Sequence, residues 1–263
     1  MPKLAANLSW IYQEVPLLQR FAAAAGHGFT AVEMLFPYEV PAAEIAAELR
    51  KHKLTQALFN LPPGDWSKGE RGLAALPGRE SEFAAALERA LEYAKVLECR
   101  TLHVMSGMIA PGADPAAMHR TFVSNLEKAC DRTAKSGITL VLEPINHRDI
   151  PGYFTNTTDQ VTKIIDEVGA PNLRLQLDLY HLQVTEGDLT KRTERLFPIT
   201  AHVQIAGNPD RNEPDIGEAN HLYLLDVLDR LGYQGYVGLE YKPRTTTAAG
   251  LGWAARYGIE ASA

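Results

Sequence analysis

The sequence alternates short apolar, β-prone runs with amphipathic helical segments, and a strand-like run recurs about every 30 residues. Strands separated by single helices imply parallel pairing through right-handed crossovers. Eight such units in 263 residues fit a closed (β/α)8 barrel better than an open doubly wound sheet. The predicted strands are Leu4–Leu8, Thr30–Met34 (ending near Glu33), Thr55–Phe59, Thr101–Met105, Thr139–Glu143, Leu173–Asp178, Ile199–Ile205 and Tyr236–Glu240.

The segments between these runs have helix-start and helix-stop signals. Asp114 and Pro115 form a cap-plus-first-turn signal for a helix that runs to about Ser136, with Gly137 as its stop. The long Gly- and Pro-rich segment 60–80 contains Trp66 and other apolar residues, which indicate an ordered, packed loop. A helix over Leu189–Leu196 and one short helix in the tail complete the prediction. No linker divides the chain, so we expect one α/β domain, a TIM barrel over residues 1–263.

Composition excludes several classes of protein. The formal net charge is −6 and the Lys and Arg residues are scattered, without the basic stripe of a nucleic-acid binder. No GxGxxG follows the first strand, which lowers the dinucleotide-binding alternative. No run reaches the length of a membrane span or of a signal-peptide core. We therefore expect a cytoplasmic protein with no nucleic-acid or membrane partner, in which Cys99 and Cys130 are reduced thiols, buried or half-buried.

Four apolar runs end in, or close to, a side chain with an oxygen ligand: Glu143, Asp178, Gln204 and Glu240. Burying an unpaired charge costs several kcal/mol, so such groups need a proton, a partner or a metal. In a barrel the four would meet at the carboxyl ends of neighbouring strands, where active sites lie. Carboxylates plus an amide suit a hard cation, Mg²⁺ or Mn²⁺. For any one acid, the alternative is a salt bridge at the barrel rim.

Residues beside these strand ends are candidates for substrate binding. His181 stands three residues after Asp178, and Arg211 follows the seventh strand; a guanidinium suits a substrate carboxylate. The competing interpretations are a loop-bound histidine and a solvated loop charge. His103 and His202 are compatible with either a site or a packed core. The loop aromatics are compatible with a cavity wall or with ordinary packing: Trp10, Phe36 and Trp66.

Several segments together resemble the hydroxypyruvate isomerase family of xylose-isomerase-like TIM barrels. They are AANLSW, EMLFPY, NLPPGDWSKGERGLAALPGRE, LEPINHRDIPGYFTN, LQLDLYHLQVTEGDL, HVQIAGNPDRNEPDIGEANH and GLEYKPRTTTAAGLGW, and they extend over nearly the whole chain. The sister group of 2-oxo-tetronate isomerases shares NLS, PGRE and EYKP. EPIN-x-RDIPG and KPRTTTAAGL favour the first group, whereas HVMSG and HVQIAG favour the second.

The resemblance implies that Glu143 and Glu240 are the acid/base pair and that Glu143, Asp178, Gln204 and Glu240 bind a metal. Sugar epimerases of the superfamily usually have His where this chain has Gln204. The expected reaction interconverts hydroxypyruvate and 2-hydroxy-3-oxopropanoate through an enediol, with a small anionic hydroxy- or oxo-acid as substrate. The alternatives are a related sugar epimerase, a DNA phosphodiesterase of the same superfamily and a silent sugar-acid binder. The apolar helix faces are compatible with a homo-oligomer.

Overall fold

A computed structural model of the chain, which describes residues 1–261, contains a closed barrel of parallel strands in the order β1 to β8. The strands are Lys3–Asn7, Ala31–Glu33, Thr55–Asn60, Thr101–His103, Thr139–Leu142, Leu173–Asp178, Thr200–Ile205 and Tyr236–Leu239. Pairing of β1 with β8 closes the barrel, with Lys3 opposite Tyr236. The predicted (β/α)8 class is confirmed, and the last two residues of the predicted 1–263 range lie outside the described part of the chain.

Helices surround the barrel. They are α1 (Leu17–Gly26), α2 (Ala42–His52), α3 (Glu80–Leu97), α4 (Pro115–Ala134), α5 (Thr158–Val168), α6 (Leu179–Thr185), α7 (Leu189–Leu196) and α8 (His221–Arg230). Single 3₁₀ turns occur at Trp66–Lys68, Phe197–Ile199 and Ala248–Gly250, and a longer 3₁₀ segment at Gly252–Tyr257. The tail therefore contains two 3₁₀ segments where one short helix was predicted. Helix α6 was not predicted, because its seven residues directly follow β6 without a loop.

Local sequence sets the helix starts as expected. Asp114 accepts a hydrogen bond from the amide of Ala116 at 2.9 Å, and Pro115 occupies the first turn of α4. Asn220 caps α8 in the same way, through the amide of Tyr223 at 3.0 Å. Caps of this kind contribute about 1 kcal/mol each. The helices bury one apolar stripe against the strands, as in α3 with Phe83, Leu87 and Leu97.

The strand register determines which side chains point into the top of the barrel. Asp178 on β6 pairs with Gln204 on β7, and Gln204 pairs with Gly238 on β8. Glu143 and Glu240 each lie one residue past their strand. Asn7 on β1 pairs with Glu33 on β2, and the pairing of β2 with β3 has a register irregularity between Val32 and Glu33. Polar side chains from six strands are thus directed toward one end of the barrel. Within residues 1–261, no helix has the length and hydropathy required to cross a membrane.

Candidate active site

A cavity of about 750 Å³ opens at the carboxyl ends of the strands, where the substrate sites of such barrels lie. Its volume falls in the range typical of small-molecule sites. Its lining includes four of the predicted site residues: Glu143, His181, Arg211 and Glu240. Asp178 and Gln204 are buried beside the cavity and do not line it. The structure thus brings all six predicted residues to the same end of the barrel.

Three buried carboxyl groups interact electrostatically with the guanidinium of Arg211. Glu143, Asp178 and Glu240 are only 5%, 2% and 6% exposed. The Nη2 atom of Arg211 lies 2.5 Å from Oε1 of Glu240 and 3.5 Å from Oδ2 of Asp178. Its Nη1 atom lies 3.3 Å from Oδ2 of Asp149. The predicted partner of a substrate carboxylate is therefore ion-paired to carboxylates of the protein.

Burial and mutual repulsion make these acids hold protons more tightly. Burial raises the pKa of Glu143 well above its ordinary value, and the charges of Glu240 and Asp178 add to the effect. Burial also raises the pKa of Glu240 to about 8 and that of Asp178 to about 6, although Arg211 opposes both shifts. Conversely, burial alone would lower the pKa of Arg211, but the surrounding carboxylates outweigh it and raise that pKa. Arg211 forms salt bridges with Asp178 and Glu240 but not with Glu143. Glu143 is therefore the strongest candidate of the three acids to hold a proton.

His181 projects from α6 toward two of the acids. Its Nε2 atom lies 3.6 Å from Oδ2 of Asp178 and 3.9 Å from Oε1 of Glu143. Its Nδ1 atom accepts hydrogen bonds from the backbone amide of Asn146 at 3.4 Å and from the side-chain amide at 2.6 Å. Burial, followed by the charge of Arg211, lowers the pKa of His181 well below its usual value. The neutral ring therefore carries its hydrogen on Nε2, and it faces the cavity as a donor.

The Gln204 amide contacts two carboxylates. Its nitrogen donates to Oε1 of Glu33 at 2.7 Å and to Oε2 of Glu240 at 2.6 Å. Its oxygen accepts from Gln176 at 2.6 Å. An amide has two hydrogens, so both are used in this arrangement. Ligation of a metal through the oxygen of Gln204 stays a prediction, and it would require this amide to turn over.

Glu33 is the residue that the sequence analysis did not place in the site. It is fully buried and accepts hydrogen bonds from Asn7 at 2.9 Å and, through Oε2, from Nε2 of His202 at 2.6 Å. A Cβ atom on Gly238 would lie 2.2 Å from Oε1 of Glu33, so only glycine leaves room for this carboxylate. The sequence signal that could have identified Glu33 is the same as for Glu143: an apolar, strand-like run that ends in an acidic residue. His202 thus faces the site network, as one of its two interpretations required.

His103 also faces this region. Its Nδ1 atom lies 3.8 Å from Oε2 of Glu143. Burial lowers the pKa of His103 to about 3, so the ring is neutral. Neither ring nitrogen has a hydrogen-bond partner in the described part of the chain. A buried ring with two unsatisfied nitrogens and a place in the cavity lining is suited to contact a bound molecule.

The oxygen atoms of Glu143 and Asp178 form a position that fits a cation. Oε1 of Glu143 and Oδ2 of Asp178 are buried and have no hydrogen-bond partner among residues 1–261. Together with a ring nitrogen of His181 they form a compact group whose potential ligand atoms all lie within 4.8 Å of one another, but with its hydrogen on Nε2 the ring does not itself ligate. Glu240 is engaged elsewhere, through Arg211, Gln204 and Asn7. Two buried carboxylate oxygens without a hydrogen-bond partner suit a hard divalent ion, with Nη2 of Arg211 3.5 Å from that of Asp178.

Aromatic side chains line the mouth of the cavity. Trp10 and Trp66 both contribute to the lining, and the ring of Phe36 lies 5.1 Å from that of Trp66. The guanidinium of Arg211 lies 4.5 Å above the ring of Trp10, and that of Arg71 lies 3.5 Å above Trp66. Of the two interpretations of these loop aromatics, Trp10 and Trp66 fit the cavity wall.

Comparison with known proteins defines the class first. The family model described as "Xylose isomerase-like TIM barrel" matches residues 21–257. The crystal structure of a Brucella melitensis protein named as an AP endonuclease of family 2 superposes with a TM-score of 0.96 at 51% identity, over 98% of this chain and 99% of that one. The chain belongs to the xylose isomerase-like TIM-barrel family.

The relatives of this chain indicate which kind of enzyme it is within the family. The chain is 54% identical to a 2-oxo-tetronate isomerase of Cupriavidus necator, over 98% of this chain and 99% of the relative. It is 44% identical to a hydroxypyruvate isomerase of Escherichia coli, over 96% and 98%. The protein is an isomerase, and the resemblance identified from the sequence is confirmed.

Proposed function

We propose that this isomerase acts on short hydroxy- and oxo-acids, interconverting hydroxypyruvate and 2-hydroxy-3-oxopropanoate by proton transfer through an enediolate. The observation that supports it is the placement of two buried carboxyl groups, Glu143 and Glu240, on one cavity with different environments. Glu240 is salt-bridged to Arg211, whereas Glu143 is not. Pairs of carboxyls with different proton affinities suit general acid and base roles.

In the proposed reaction, ionised Glu240 removes a proton from C3 of hydroxypyruvate. The electron pair forms the C2–C3 double bond and the C2 carbonyl becomes an enediolate oxygen. Protonated Glu143 then delivers a proton to C2, and the proton of the C3 hydroxyl moves to the oxygen on C2 as the C3 carbonyl forms. Nε2–H of His181 lies beside Glu143 and is positioned to donate to a developing oxyanion. Each positioned acid or base contributes roughly 10²–10⁴ in rate.

A divalent ion, Mg²⁺ or Mn²⁺, forms part of the proposal. Asp178 and Glu143 would hold it through the oxygens that have no hydrogen-bond partner, Glu143 through Oε1 with its proton on Oε2, and Glu240 and Gln204 are the further predicted ligands. When bound, such an ion stabilises negative charge on substrate oxygens. Titration of Mn²⁺ into the metal-stripped protein, followed by electron paramagnetic resonance, tests this without turnover. Asp178→Asn should weaken binding, whereas Glu167→Gln on the surface should leave it unchanged.

A 2-oxo-tetronate is the second candidate substrate. Identity of 54% to a 2-oxo-tetronate isomerase, against 44% to a hydroxypyruvate isomerase, favours it. Both acids undergo the same carbonyl shift, so the acid pair serves either one. A kinetic comparison of the two acids with the purified protein decides between them, through the ratio of their kcat/KM values.

DNA cleavage, the activity that the name of the Brucella melitensis protein indicates, is weakly supported for this chain. A nuclease of this kind requires several metals with many histidine ligands and a basic groove. Within residues 1–261 the compact ligand group is Glu143, Asp178 and His181, with one histidine, and the chain has a formal charge of −6. Incubation with a duplex that contains an abasic site tests this alternative, and we expect no incision.

A further inference from the structure

An anionic substrate in this cavity requires a cation that the protein has not already neutralised. The inner part of the cavity contains Glu143 and Glu240, with Asp178 beside them. Arg211 is the cation closest to these acids, and it lies within 4 Å of Glu240, Asp178 and Asp149. A substrate carboxylate near these acids would meet repulsion that Arg211 alone does not offset.

Arg71 is a guanidinium in the same cavity lining that has no acidic partner among the described residues. It belongs to the loop between β3 and α3, and it lines the cavity with Trp66 and Gly69. Its Nη1 atom donates to the carbonyl of Trp66 at 3.1 Å and to that of Glu70 at 2.7 Å. Within residues 1–261 it forms no salt bridge, so its Nε and Nη2 hydrogens remain for an external acceptor.

The loop holds this guanidinium in place before any ligand arrives. The guanidinium stacks on the ring of Trp66 at 3.5 Å. The carboxylate of Glu70 accepts from the amide of Asp65 at 2.5 Å and pairs with Arg79. The amide of Gly72 donates to the carbonyl of Pro63 at 2.8 Å. A fixed, planar guanidinium loses little entropy when it binds a carboxylate.

The two other cations of the lining are less suited to this role. Arg148 already donates to the hydroxyl of Tyr180 and the carbonyl of Pro209, both at 2.9 Å, and lies 3.7 Å from Asp149. Lys242 is solvent-exposed, and an ammonium on a flexible stem is not oriented in advance. Arg71 alone among the four lining cations combines a fixed position with donors that no carboxylate of the described chain occupies.

We propose that Arg71 binds the carboxylate of the substrate, with Trp66 as the wall behind it, so that the reacting carbons point toward Glu143 and Glu240. This assignment rests on the proposed function for its substrate class, a short carboxylic acid with neighbouring oxygen groups. It separates the anion-binding end of the cavity from the proton-transfer end.

The test compares Arg71→Met with Lys242→Met, which removes the same charge from the same lining. Three quantities are measured: KM and kcat for hydroxypyruvate, and, by calorimetry, the Kd of D-glycerate, an acid without the keto group. Loss of one charged hydrogen-bonding group predicts that Arg71→Met raises KM and Kd roughly 10- to 100-fold. We expect kcat to change less than about threefold, because the group contacts no reacting atom. Arg71→Lys should recover part of the glycerate affinity.

Lys242→Met should change each quantity by less than about threefold, since a solvated cation contributes little. The proposal is overturned if Arg71→Met binds glycerate as well as the unmodified protein does, or if Lys242→Met loses as much affinity. Glycerate binding needs no turnover. A protein that is inactive on hydroxypyruvate but loses glycerate affinity in Arg71→Met would refute the proposed reaction and still support the role of Arg71.

Discussion

Arg211 and Glu240 form a buried ion pair, with Nη2 of the guanidinium 2.5 Å from Oε1 of the carboxylate, at the mouth of the barrel. The guanidinium also contacts Asp178 and Asp149, whereas Glu143 receives no salt bridge from it. One cation shared unequally among several acids gives them different proton affinities. Two chemically identical side chains, Glu143 and Glu240, are thereby suited to opposite roles.

Removal of either member of the acid pair should nearly abolish turnover. We expect Glu143→Gln and Glu240→Gln each to lower kcat roughly 10²- to 10⁴-fold, since each side chain transfers a proton in a different step. Circular dichroism checks that both variants fold. Glu167→Gln, which removes an exposed partner of His119, is the matched control and should keep normal turnover. Near-normal kcat in either site variant would contradict the assignment.

The pH dependence of the reaction should reflect Glu240. Burial raises the pKa of Glu240 to about 8, and this group accepts the C3 proton only when ionised. We therefore expect kcat/KM for hydroxypyruvate to rise with pH and to level off above about 8. The profile is measured across the neutral range. A kcat/KM that is constant between about pH 6 and 9 would show that no such base limits the reaction.

Stability should fall as pH rises above about 6.5, the ordinary histidine pKa, because the buried acids hold protons more tightly in the folded protein. Between about pH 6.5 and 8, Glu143 and Glu240 make the folded chain bind more protons than the unfolded chain, so the free energy of unfolding decreases with pH. Below about pH 6.5 the neutral rings of His103 and His181 act in the opposite direction. Glu143→Gln removes one such group. Its Tm should therefore decline less than that of the unmodified protein between about pH 6.5 and 8.5. Parallel declines would refute the raised pKa of Glu143.

Gly238 should tolerate no side chain. A methyl group there would lie 2.2 Å from Oε1 of Glu33, so Gly238→Ala must displace the carboxylate that positions Gln204. We expect a loss of about 1–3 kcal/mol in the free energy of unfolding, together with reduced turnover. Gly252→Ala is the control, because nothing lies within 4 Å of its added carbon. Denaturant unfolding of both variants measures the difference, and equal stabilities would contradict the predicted clash.

The sequence supported the barrel because its signals were local and repeated. Helix caps such as Asp114 and the apolar strands were readable from residue type and spacing. Glu143 and Glu240 were placed correctly at strand ends although β5 and β8 stop one residue earlier than predicted. The convergence of these ends follows from barrel closure alone.

The orientation of the site side chains, and their contacts with one another, could not be predicted from the sequence. The direction of the Gln204 amide depends on Glu33, which is 171 positions away along the chain. Arg211 was predicted to meet the substrate, but only the folded chain shows the acids around it. Arg71 stands in a loop without periodicity, and its contact with Trp66 depends on how that loop folds. Such relationships are set by tertiary packing and not by spacing.

The most direct test of the proposed proton transfer is isomerisation in deuterated water, followed by nuclear magnetic resonance. With hydroxypyruvate as substrate, we predict deuterium at C2 of the product, which is lost in Glu143→Gln and in Glu240→Gln. Exchange at C3 of recovered substrate should be lost in Glu240→Gln, because Glu240 moves that proton. A 2-oxo-tetronate, tested in parallel, should show the same label pattern if it is the better substrate. Product that forms at the normal rate without deuterium, or label that persists in both variants, would contradict proton transfer between Glu143 and Glu240.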